Sequence, residues 1–333
     1  MKNSWNSSAD RGKIVALLMF KNEELNIPTF MGNILPFVDL VLGYDDHSTD
    51  SSIPKFLENG GSLIEFVPTA VWANGGENQI RQALLNEGRK LGGEYFIVLD
   101  CDESFSAEFS LSILKYLKSL QSGQSLQLNW VNLWGSELEF CSGNSIWQPS
   151  YRDFIFRDHL ALSYGSGGLH SFGRAPKATT DFGFLKVSEN DGVVLHSQFI
   201  NWEAVQLKQA WYRLQEWLYS TQSMYAINKK YKITLEKNVE TLPLPIHWLP
   251  KFMFQSPENS NATLNDWRLG EVLRIIDEHG IEEFKKLDIW TSNTMSSIWR
   301  QHFSRAPRPS RWMGVREFAG YCLWYLRKTG KLK

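Results

Sequence analysis

The chain has 333 residues, 43% of them hydrophobic and 21% charged, with a formal net charge of −1. That make-up allows one sizeable core plus a smaller appendage and excludes a disordered or collagen-like chain. The apolar run nearest the N-terminus is only seven residues, Ile14 to Phe20, too short for a membrane span or, with its polar flanks, for a signal peptide. Three cysteines far apart, Cys101, Cys141 and Cys322, have no metal or redox spacing and read as free thiols of a reducing compartment.

Taken in order, Ile14 to Phe20 reads as a strand buried on both faces. It stops at Lys21-Asn22-Glu23-Glu24, where Asn22 is placed to cap a helix carrying Ile27, Phe30, Met31, Ile34 and Leu35. Leu40 to Tyr44 is a second strand, ending in the polar turn Asp45-Asp46-His47-Ser48-Thr49-Asp50 that opens another helix. A third strand is expected at Leu63 to Val67, and Gly75-Gly76 precedes a helix with Ile80, Ala83, Leu84 and Leu91 on its apolar face. Tyr95 to Leu99 is the next strand, and it breaks into Asp100-Cys101-Asp102. Strands alternating with helices predict an α/β fold with a mostly parallel, doubly wound, Rossmann-like sheet.

In such sheets ligands gather at the carboxyl ends of the strands. Here three strand ends on one rim are polar or acidic: Asn22/Glu24, Asp45/Asp46 and Asp100/Asp102. A strand giving way to a loop lets two carboxylates spaced as Asp100 and Asp102 are turn toward one hard cation. After a helix near Leu111 to Leu120 and a strand at Leu126 to Trp134, the stretch to Gly192 reads as irregular, Gly/Ser-rich and suited to covering a site. Val193 to Leu195 is a short strand ending at His196, followed by a helix from Glu203 that carries Lys208. Trp130, Trp134 and Trp147 fit either sugar stacking or the core.

In this order the motifs resemble the nucleotide-sugar-dependent glycosyltransferases of the GT-A fold, in particular glycosyltransferase family 2. The resemblance covers about residues 13–213. Val15 to Glu24 looks like the opening strand with its Asn-Glu ending. Tyr44-Asp-Asp-His-Ser-Thr-Asp50 is similar to the family's Val-Asp-Asp-Gly-Ser-Thr-Asp, with His47 in place of the usual Gly. Leu99-Asp-Cys-Asp-Glu103 looks like the metal-binding Leu-Asp-Ala-Asp-Asp/Glu.

The resemblance implies a metal-dependent transferase that moves a sugar from a UDP-linked donor to a glycan or glycolipid hydroxyl, with inversion, in cell-surface polysaccharide synthesis. Asp102, Asp100 and His196 would serve Mn²⁺ or Mg²⁺, with Asp100 near the ribose or a metal-bound water. Asp46 would accept a hydrogen bond from the uracil ring N–H, and Asn22, Glu24, Asp45 and Lys208 would complete the nucleotide-sugar site. His170 sits where related sequences read His-Glu, but Ser171 follows it here, so the base for the acceptor hydroxyl must come from elsewhere. Asp153 and Asp181 are the candidates. A sugar-1-phosphate nucleotidyltransferase is the enzyme alternative, although its Gly-rich loop after the first strand is missing. A catalytically silent glycan-binding or membrane-scaffold protein is the non-enzyme alternative.

Prolines 243, 245 and 250 suggest a boundary, giving a catalytic domain at 12–242 and a helical, basic extension at 243–333. Residues 300–333 hold nine Lys/Arg against Glu317 alone, a balance of +8. In that tail Val315, Phe318, Ala319, Cys322, Leu323 and Leu326 fall on one face of a helix expected over 314–327. Such a face either packs on the protein or lies on an anionic membrane surface. The expectation is a cytoplasmic protein, peripheral on the inner face of the membrane, with no nucleic-acid partner.

Overall fold

Strand β1 (Lys13–Phe20) lies between β2 (Leu40–Asp45) and β4 (Gly93–Val98), parallel to both, in a computed structural model. The structure describes residues 12–70, 75–143, 145–165, 174–235, 238–254 and 266–307, and positions 315, 318, 319, 322, 325, 326 and 329. Alternate β1 side chains serve two cores. Ile14, Ala16, Leu18 and Phe20 pack with helix α1 (Ile27–Ile34), while Val15 and Leu17 pack with helix α3 (Gly76–Lys90). Burial on both faces is why this strand is apolar at every position from Ile14 to Phe20.

The sheet runs outward from β1 through β2 to β3 (Ser62–Leu63), a two-residue strand where a longer one was expected. On the other side β4 pairs antiparallel with β8 (Ser150–Arg157), which pairs antiparallel with β6 (Ser125–Trp134). Strand β6 also carries β10 (Val193–Phe199) and β9 (Phe184–Lys186), both parallel, and β7 (Glu139–Gly143), antiparallel. The fold is α/β, as expected, and its sheet is mixed: parallel across β3, β2, β1 and β4, with antiparallel pairs beyond β4. The stretch from Trp134 to Gly192 is not one covering loop, because β7, β8 and β9 arise within it. Their alternation is weak, and partners distant in sequence decide their pairing.

Helix α2 (Ser52–Glu58) follows β2, and helix α4 (Phe109–Ser119) follows the short β5 (Glu103–Phe105), which turns back antiparallel to β10. Helix α1 begins at Ile27 with Asn26 at its N-cap position, so Asn22 does not cap it. The Asn22 side chain instead accepts from Thr49 N (2.6 Å), while its own N–H donates to Ser48 Oγ (2.8 Å). This stitches the end of β1 to the turn after β2. His47 in that turn has φ 59°, the left-handed region that glycine adopts freely.

The chain forms two compact units, 1–200 with 240–256, and 201–239 with 257–333. The division differs from the expected one at 242. Strand β11 (Glu240–Pro243) returns to pair with β7, whereas helix α5 (Trp202–Tyr219) joins the second unit. That unit also contains helices α6 (Met224–Lys232), α7 (Trp267–His279), α8 (Ile281–Phe284) and α9 (Asn293–His302). They bury Leu207, Leu214, Val272, Ile276, Phe284, Trp290 and Met295 together. No helix among the described residues is long and apolar enough to cross a membrane.

Candidate active site

The site forms where β4 ends and the chain turns back as β5. Register in the β5–β10 pair sets Glu103 opposite His196. Ser197 N then donates to the Asp102 carbonyl (2.8 Å), and Ser197 Oγ reaches the same oxygen (3.1 Å). These bonds bring the Asp102 carboxylate to the His196 ring, with Oδ2 and Nε2 3.3 Å apart. His196 is 4% exposed and the Asp102 side chain 20%.

Asp100 takes a different partner. Its Oδ2 lies 2.9 Å from Arg174 Nη2, and the same nitrogen donates to Glu103 Oε1 at 2.5 Å. Asp100 N also donates to Glu103 Oε2 (2.9 Å), which fixes the hairpin around Cys101. Partial desolvation raises the Asp100 carboxyl, but the Arg174 and Arg81 guanidiniums outweigh it and hold the group below the usual carboxylate range. Glu103, fully buried, is pushed up to about 7 by burial, against the pull of Arg174. Arg81 sits on α3, paired with Glu77 (2.9 Å), within electrostatic reach of Asp100. Arg174 is braced from behind, because Tyr164 Oη donates to its carbonyl (2.6 Å).

Trp130 lies at the centre of this arrangement. Its indole N–H donates to Glu103 Oε1 (2.8 Å) and its ring stacks on His196, with centroids 4.7 Å apart and planes at 23°. The guanidiniums of Arg174 and Arg152 stand over the ring at 6.0 and 5.9 Å. Asn132, two residues along β6 and fully buried, places Oδ1 2.8 Å from His196 Nδ1. Strand periodicity puts residues 130 and 132 on one face, so one strand supplies both contacts to the imidazole.

The structure therefore joins Asp102 to His196 and turns Asp100 to Arg174, rather than gathering all three into one cluster. Among the described residues no three His, Cys, Asp or Glu side chains converge on a point. Asp45 caps its own turn by accepting from Ser48 N (3.0 Å), and Asp46 N bonds to Phe20 O (2.8 Å), tying the second strand end to the first. Glu24 Oε2 accepts from Ser51 N (3.2 Å). Asp153 accepts from Ser125 Oγ (2.5 Å) and Gln127 Nε2 (3.1 Å), and so is engaged within the β6–β8 pair. Asp181 is exposed and turns back on Gly183 N (2.9 Å). Lys208 lies on α5 in the second unit. His170 and Ser171 lie outside the described residues. Trp134, 6% exposed, stacks on Phe199 and belongs to the core.

Arg174, Arg81 and Asn132 carry no local motif, and sequence reasoning missed them. Only Asn132 left a trace, as a polar residue within the apolar second half of β6, two positions from Trp130. Such a residue must find a buried partner.

No family model and no curated protein sequence matches this chain. Solved structures overlap part of it. A mycobacterial protein aligns with 38% of this chain and 43% of its own length, at 19% identity and TM-score 0.28. Glucosyl-3-phosphoglycerate synthase from Mycobacterium tuberculosis, in complex with phosphoglyceric acid, aligns with 40% of this chain and 50% of its own, at 20% identity and TM-score 0.27. The same enzyme with Mn²⁺ and UDP-glucose aligns at 21% identity and TM-score 0.27, over 38% of this chain and 45% of its own. The chain thus spans about half the length of the structures it matches. Overlaps this loose leave the functional reading to the residues of the site.

Proposed function

We propose that the first unit is a glycosyltransferase that binds a nucleoside-diphosphate sugar, UDP-linked, through a divalent cation held by Asp102 and His196. The observation that carries the reading is the Asp102–His196 pair, 3.3 Å apart at the carboxyl rim of an α/β sheet, beside an Arg-held Asp100. A carboxylate oxygen and an imidazole nitrogen together suit Mn²⁺, and the carboxylate suits Mg²⁺. When bound, such an ion neutralises charge developing on a diphosphate leaving group, as a Lewis acid.

The chain's own residues do the rest. Asp100, kept ionised by Arg174 and Arg81, accepts hydrogen bonds from donor hydroxyls or from ion-bound water. Asp46, anchored through its backbone to the end of β1, accepts from the uracil ring N–H, which cytosine lacks. The acceptor oxygen bonds to the anomeric carbon as the bond to the diphosphate breaks, and the leaving group departs with the electron pair. The hydroxyl proton passes to a carboxylate. Asp153, whose two hydrogen bonds both fall on Oδ1, is nearer the carboxyl rim along the sheet than Asp181, which precedes β9 at the amino end of β6. A glycan or glycolipid hydroxyl is the acceptor, and the basic C-terminal segment fits an anionic membrane surface.

A thermal-shift screen of nucleotide sugars with and without Mn²⁺ tests this. A ligand present at 100 times its dissociation constant adds about 2.7 kcal/mol. UDP-sugars should stabilise the protein only with Mn²⁺. No shift with any nucleotide sugar, or a shift independent of metal, contradicts the reading.

A further inference from the structure

The His196 imidazole is held at its edge by Asn132 and on its face by Trp130, and the edge contact fixes where its ring proton sits. Asn132 Nδ2 donates to the main-chain carbonyl of Trp147 (2.9 Å), an atom that only accepts. The amide orientation is therefore set, and Oδ1 is the atom facing His196 Nδ1 at 2.8 Å. An amide oxygen cannot donate, so Nδ1 carries the hydrogen. In a neutral imidazole that leaves Nε2 as a bare lone pair, 3.3 Å from the acceptor-only Asp102 Oδ2. Two acceptor atoms facing one another at this distance form an arrangement that a shared cation makes favourable. Two ligands about 2.1 Å from one ion, at angles between octahedral and tetrahedral, lie about 3.0–3.4 Å apart.

We propose that Asn132 and Trp130 are positioning residues that fix His196 as an Nε2 ligand for a divalent cation shared with Asp102. The proposal rests on the reading of Asp102 and His196 as the metal pair. Asn132 sets the tautomer. Trp130 blocks rotation of the ring by stacking on it, and its N–H to Glu103 ties the stack to the Arg174–Glu103–Asp100 network. Outer partners of ligating histidines fix orientation and basicity, and their loss typically costs about 10–100-fold in metal affinity.

The test measures Mn²⁺ affinity of the full-length protein in saturating UDP, by the electron paramagnetic resonance signal of free Mn²⁺. Asn132→Leu and Trp130→Leu should raise the dissociation constant about 10–100-fold. Asn132→Asp, which keeps an acceptor for Nδ1, and Trp130→Phe, which keeps a stacking ring, should retain most of the affinity. In a His196→Ala background none of the four should have a further effect, since the residues act through that ring. If His196→Ala loses Mn²⁺ while the Leu variants bind like wild type, or if the losses simply add, the positioning role falls and the metal pair stands. The positioning role also falls if the conservative variants lose as much as the Leu variants. If wild type takes up no Mn²⁺ with UDP present, both readings fall.

Discussion

Ser197 donates its main-chain N–H to the carbonyl of Asp102 at 2.8 Å, ninety-five residues away in sequence. This bond, with the β5–β10 pairing beside it, makes neighbours of an acidic loop and a histidine. The site depends on that non-local contact more than on either motif alone.

Arg174 is the counter-ion of a fully buried Glu103. Arg174→Met leaves that carboxylate in the core without its partner, and breaking a buried pair from one side costs about 3–5 kcal/mol. Adding Glu103→Gln to the same variant should recover much of the loss. Urea denaturation of the single and double variants checks this, and equal destabilisation of the two would refute the pairing.

Asp46 stands at the end of β2, with its N–H fixed on Phe20 O. If it receives the uracil N–H, Asp46→Ala should weaken UDP binding by about 1.5–3 kcal/mol, the range for a hydrogen bond to a charged group. Calorimetry with UDP and GDP reads the effect. Unchanged UDP affinity, or tighter GDP binding by the wild type, contradicts the assignment.

His47 holds φ at 59° with a full side chain. A left-handed residue costs roughly 1–2 kcal/mol, of which glycine's extra chain entropy returns part. His47→Gly should therefore raise stability by about 0.5–1 kcal/mol and leave UDP affinity unchanged. Chemical denaturation that shows no gain, or a loss, would mean that the imidazole makes a compensating contact.

At the C-terminus, positions 315, 318, 319, 322, 325 and 326 are helical, and Val315 and Phe318 are 72% and 55% exposed, Phe318 with a ring contact to Tyr225 at 6.0 Å. On the membrane reading, removing residues 313–333 should cost less than about 1 kcal/mol, in keeping with the exposure of Val315 and Phe318. The full-length protein should sediment with anionic vesicles and release as salt rises, each basic residue contributing about 1 kcal/mol near the surface. Early melting of the truncated protein, or no sedimentation at low salt, opposes the membrane reading.

The parallel half of the sheet was legible because β1, β2 and β4 are buried on both faces and announce themselves as apolar runs with acidic ends. Strands β7, β8 and β9 were not, since their pairing is decided by partners across the sheet rather than by their own alternation. The acidic pair was legible as a motif, but the division of labour within it was not. Nothing near Asp100 in sequence signals that Arg174, more than seventy residues on, will take it away from His196. Proline punctuation suggested a boundary at 242, yet residues 240–256 belong with the first unit because β11 finds its edge partner there.

The most direct measurement is calorimetric titration of UDP into the full-length protein in Mn²⁺ and again in EDTA, for wild type and Asp102→Asn. The asparagine preserves shape but removes the anionic oxygen, and loss of one such electrostatic element typically lowers turnover about 10²–10³-fold. The account predicts UDP binding that requires Mn²⁺ in the wild type and is lost in Asp102→Asn, with the fold of the variant intact. Equal UDP affinity in EDTA and Mn²⁺, or undiminished binding by Asp102→Asn, would contradict it.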